Sequence, residues 1–128
     1  MTQQKTTVLW RKSGDENLKL VDEMIEHDHR DWALFFGQLA LEKYLKGIIV
    51  KTTDSAPPFI HDLVKLAEIA HLSLTPEQKE ELAEISKYHI KARYDDIKKE
   101  LYTKATPEYT KTFVTKIKKY ALWLTKHY

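Results

Sequence analysis

The chain has 128 residues, of which 42% are hydrophobic and 31% charged, enough apolar matter for one packed core and too much for disorder. It contains no cysteine, which excludes a disulfide framework, a thiolate metal site and a cysteine nucleophile, while three glycines and four prolines disfavour an all-β fold built on tight turns. The net charge of +2 is too small to define a partner class by itself.

The first helix is expected from about Lys5 to Asp28, with Leu18, Val21 and Ile25 on one stripe. One local signal disagrees: Ser13 and Glu16 have capping-box spacing and Gly14 is a poor helix-interior residue, so a start at Ser13 is the alternative. The second helix, about Asp31 to Lys51, is apolar nearly all round through Phe35, Leu39, Leu41, Leu45 and Ile48, which predicts burial on several sides. A single polar row interrupts it, Gln38, Glu42 and Lys46, spaced four apart. On a central helix such a row must reach solvent, a cleft or partners. The loop Asp54-Ser55-Ala56-Pro57-Pro58 ends that helix, since consecutive prolines cannot continue it.

A short third helix follows near His61 to Leu72. Thr75-Pro76-Glu77-Gln78 opens the fourth with a cap, a proline at the first helical position and a capping-box glutamine. It places Leu82, Ile85 and His89 on one stripe with Arg93 a turn beyond. Thr106-Pro107-Glu108 repeats the device for a fifth helix carrying Tyr109, Phe113, Ile117, Tyr120 and Leu124. The expected fold is therefore all-α, a five-helix bundle forming a single domain over residues 1–128. No apolar run approaches membrane-spanning length, and polar Met1 to Lys5 give no signal-peptide pattern. A soluble, cytoplasmic protein is expected.

Several of these segments together resemble the HEPN domain family. They are Gln38-Leu39-Ala40-Leu41-Glu42-Lys43-Tyr44-Leu45-Lys46-Gly47 on the central helix, His61-Asp62-Leu63 with Leu66 after the proline loop, and Ala92-Arg93-Tyr94-Asp95-Asp96 after the fourth helix. Trp10 and the Asn17-Leu18 pair stand where the family's first helix has similar residues. The resemblance implies a helical bundle of the nucleotidyltransferase substrate-binding-subunit type. It also implies a homodimer, a minimal nucleotidyltransferase as partner and a nucleotide or RNA as ligand, within a toxin–antitoxin-like system. Many relatives are RNA-cleaving toxins with an arginine followed by four to six residues and a histidine. That spacing is absent here after Arg11, Arg30 and Arg93. A non-enzymatic reading is therefore preferred over a metal-independent RNA endonuclease with an atypical site, and a ligand-free interaction scaffold is the third reading.

The expected ligand-binding set is Gln38, Glu42, Lys46, His61, Asp62, Arg93, Tyr94 and Asp95, in which cations grip phosphates and Tyr94 stacks on a base. Four of them have a plainer role as well: Asp62 as a helix cap, Glu42 with Arg93 as a buried ion pair, Tyr94 as a packed aromatic. His89, Arg93 and His61 are the weak catalytic candidates, with His89 equally suited to the core. His27 and His29 with Asp28 and Asp31 look metal-like, but residues two apart do not share a helix face. Neither a metal nor a cofactor is expected.

The charge is uneven along the chain. Residues 1–30 carry 5 basic and 6 acidic groups, residues 31–90 carry 6 and 9, and residues 91–128 carry 10 and 4. The basic last segment is either a solvated lysine face or a footprint for phosphates or an acidic protein surface. Within it, Lys116, Lys119, Trp123 and Lys126 share a face whose make-up fits a nucleic-acid stacking site or a subunit contact rimmed by lysine stems.

Overall fold

The computed structural model describes the backbone of residues 2–91 and 95–128, and their side chains except those of residues 90, 91 and 95–98. Among the described residues there are six helices and no strand: α1 Gln3–Glu26, α2 Arg30–Thr53, α3 Leu63–Ile69, α4 Pro76–Lys91, α5 Asp95–Lys104 and α6 Pro107–Thr125. The all-α bundle expected from the periodicity is present, with one helix more than the apolar pattern separates. That extra helix, α5, buries only Leu101 among its described side chains, with Ala105 just beyond it. So sparse an apolar stripe gives little periodic signal in a stretch rich in lysine and acidic residues.

The ends of the helices follow local chemistry. Thr2 caps α1 by accepting from the Lys5 amide. Thr75 and Gln78 form the reciprocal capping box, at 2.9 and 3.1 Å. Thr106 caps α6 ahead of Pro107. At three helix exits the left-handed position is filled by Asp28, Asp54 and His71, residue types that tolerate it better than most but less well than glycine.

All three glycines instead lie inside helices, at crossings. A Cβ on Gly14 would stand 2.6 Å from the Tyr44 ring, and one on Gly37 would stand 2.5 Å from Ile117 Cδ1. At Gly47 it would meet Trp10 Cβ at 2.9 Å and collide with the Tyr128 hydroxyl. The alternative start of α1 at Ser13 is thereby corrected: the helix runs unbroken through Gly14, whose missing side chain lets Tyr44 of α2 lie against α1.

Helix α2 is the axis of the molecule and touches α1, α3, α4, α5 and α6. Its Leu34, Leu41, Leu45, Ile48 and Ile49 join Val21, Leu63, Leu66, Ile85, Tyr88, Ile117 and Leu124 in one continuous apolar core. No described helix is long and apolar enough to cross a membrane.

Candidate functional site

The polar row of α2 faces inward. Gln38, Glu42 and Lys46 are 0%, 3% and 6% exposed, so the row forms a buried hydrogen-bonded seam instead of reaching solvent directly. Gln38 Nε2 donates to Glu42 Oε1 at 3.0 Å and to the His61 carbonyl at 3.2 Å, while Lys46 Nζ donates to Glu42 Oε2 at 3.0 Å. Burial alone would raise the Glu42 carboxyl. The bonds from Gln38, His61 and Lys46, with the Lys46 charge, outweigh it and hold the group below its ordinary range. Each oxygen of this buried carboxylate therefore has a partner, as a charge removed from water requires.

The proline loop brings His61 onto the seam. Its Nδ1 lies 2.8 Å from Glu42 Oε1, and its side chain is 41% exposed. Thus the buried carboxylate reaches the surface through one imidazole. The loop is pinned just beyond: Asp62 caps α3 by accepting from the amides of Val64 and Lys65, and Ser86 of α4 accepts from the Leu63 amide. From α4, His89 lies face to face with His61, ring centroids 3.6 Å apart and planes 22° apart, and Phe35 covers it from the other side at 5.6 Å.

The opposite end of the seam leads to a second feature. Lys46 Nζ and Lys43 Nζ each stand 6.0 Å from the centroid of the Trp10 ring. Beside Trp10 opens a cleft of about 460 Å³ lined by Gln3, Thr6, Trp10, Lys46, Pro57 and a fully exposed Phe59. One lysine thus neutralises Glu42 inside and lines an aromatic-walled cleft outside.

Of the expected ligand set, Gln38, Glu42, Lys46 and His61 come together, and His89 joins them from the catalytic candidates. Asp62 stands beside them as an exposed helix cap. Arg93, Tyr94 and the Asp95 side chain lie outside the described residues. The expected Glu42–Arg93 pair lies outside the described residues; among the described ones Lys46 and His61 meet the Glu42 carboxylate. The His61–His89 stack and the Trp10–Lys46 contact carried no sequence signal, since both join segments far apart in the chain.

The basic face of α6 is less basic than its sequence. Lys116, Lys119 and Trp123 do share a cleft, but Glu77 and Glu81 line it too. Lys116 Nζ is 2.8 Å from Glu81 and 4.8 Å from the Phe113 ring centroid. Lys126 is the C-cap of α6 and is exposed. In the α1–α2 connection Asp28 pairs with Arg30, and Asp31 is buried in the first turn of α2.

Taken together, the chain is a small all-helical bundle whose central helix carries one buried acidic–basic seam, open at a histidine and flanked by an aromatic cleft. The sequence model of the HEPN domain family matches residues 7–128, and the chain belongs to that family. Membership supports a nucleic-acid-related or toxin-like role, and HEPN domains often form dimers. No curated protein and no solved structure gives a significant match.

Proposed function

We propose that this HEPN domain binds a nucleotide or nucleic acid, forms a homodimer, and serves as the non-catalytic partner of a minimal nucleotidyltransferase in a toxin–antitoxin-like system. The observation that carries the reading is the position of Lys46 between the Glu42 seam and the Trp10–Phe59 cleft. Two aromatic side chains at a cleft give π-faces for a base, and a lysine held in place by a buried carboxylate gives a fixed cation for a phosphate. Calorimetric titration of the full chain with ATP and with a short single-stranded RNA tests it. The expected result is saturable binding by at least one ligand, weakened at least about tenfold by Trp10→Ala, the scale of one lost stacking contact. Absence of binding by both ligands at millimolar concentration would overturn the reading. Sedimentation of the protein alone, and of a mixture with a nucleotidyltransferase encoded beside it, tests the dimer and the partner.

One observation favours the second reading, RNA cleavage by an atypical site. The Glu42–His61 contact is a buried carboxylate on Nδ1 of a partly exposed imidazole, the arrangement that orients a histidine to move a proton at its other nitrogen. RNA incubated with the protein in excess chelator distinguishes the two. Cleavage lost in His61→Ala establishes the nuclease, and intact RNA leaves the binding role.

A further inference from the structure

We infer that Glu42, His61 and His89 form a binding site for a zinc-type divalent cation. One ligand atom from each of the three lies within 4.8 Å of the others. Two imidazoles and one carboxylate, with water at a fourth position, are a donor set that Zn2+ accepts in tetrahedral geometry. In such a site metal–donor distances of about 2.0–2.2 Å put donors roughly 3.4 Å apart, so the cluster must contract by at most about 1.4 Å at its widest. His61 supplies the movement. It is the most exposed of the three, at 41%, and is anchored by a loop, whereas Glu42 and His89 are buried on α2 and α4. At present its ring lies parallel to that of His89, so it must turn until both in-plane nitrogens point to one centre. The ion then takes the place of the direct contact between His61 Nδ1 and Glu42 Oε1.

A further feature supports the site. Lys46 on Glu42 Oε2 and Gln38 on Oε1 fix the carboxylate, the outer-shell support that metal sites use. Lys46 also opposes a nearby cation, which points to moderate affinity.

The experiment is calorimetric titration of chelator-stripped full-length protein with ZnCl2, without nucleotide or RNA, together with Co2+ absorption spectroscopy. The expected result is one equivalent bound, a tetrahedral Co2+ spectrum and a raised Tm. Affinity should fall at least about 100-fold in both His61→Ala and Glu42→Gln, which remove atoms bound directly to the ion, since residues that only support such atoms are worth about 10–100-fold. His27→Ala/His29→Ala controls for adventitious binding by exposed histidines and should change nothing. His61→Ala alters a partly exposed side chain, so a folded variant is available if substitutions at His89 unfold the chain. No stoichiometric binding, or binding that survives His61→Ala, would overturn the site and would leave nucleotide binding at the Trp10 cleft untouched.

Discussion

Glu42 shows how one buried charge organises its surroundings. It is 3% exposed and is met by Gln38, Lys46 and His61, and removing the cation Lys46 leaves an uncompensated charge in the core. Lys46→Ala is expected to cost about 3 kcal/mol of unfolding free energy, read from urea denaturation. The double variant Glu42→Leu/Lys46→Leu should recover most of that, because an apolar pair removes both desolvation penalties together. Recovery in the double variant separates a charge left alone from a simple loss of packing. Glu84 gives a second test at the same scale. Burial would raise its carboxyl, but Lys104 and Tyr109 bind it and Lys87 adds charge, holding it at about 2. With a folded value below the unfolded one near 4.5, its stabilisation is complete above that value and is lost as pH falls towards about 2. Glu84→Gln is expected to flatten the acid limb of the stability profile across that window, measured by thermal unfolding against pH.

The helices themselves end on side-chain chemistry, and here local rules and structure agree. Thr75 with Gln78 and Thr106 with Pro107 open their helices as the sequence pattern predicts. The C-terminal ends differ. Asp28, Asp54 and His71 occupy left-handed positions where glycine is the common choice, and each carries the backbone cost of a Cβ there. His71 has φ 62° at the exit of α3 and is exposed. His71→Gly is therefore expected to raise stability by about 0.5–1 kcal/mol, seen as an increased denaturation midpoint at unchanged slope. Asp28 is the contrasting case, because glycine there would also remove the Arg30 ion pair.

At the scale of the whole molecule, helix crossings and charge pairing decide the outcome. Gly14 lies within α1, where propensity alone gives alanine an advantage of about 0.8–1 kcal/mol. The crossing reverses the sign: an added methyl meets the ring of Tyr44, which is 1% exposed and hydrogen-bonded to Asp15 at 2.6 Å. Gly14→Ala is expected to destabilise by roughly 1–2 kcal/mol net, as overpacking in a filled interface does, and chemical denaturation reads the sign directly. Charge is likewise a matter of assembly. Lys104, Lys116 and Lys118 of the basic last segment pair with Glu84, Glu81 and Asp22 from the more acidic segments before it. Part of the excess cation along the chain is thus internal complementarity between α6, α5 and their neighbours, which is why a charge count along the sequence overstates the basic face.

Periodicity, caps and prolines were enough, without coordinates, to specify an all-helical chain, an apolar central helix, the starts of α4 and α6, and a polar row at Gln38, Glu42 and Lys46. These are local properties: hydrogen-bond satisfaction at helix ends and apolar spacing act over a few residues. Tertiary structure alone decided that His89 lies on His61, that Trp10 stands over Lys46, that Gly14 is a contact point, and which lysines are already neutralised. Each of these joins segments distant in the chain, and such contacts depend on how helices pack rather than on the composition of any one of them.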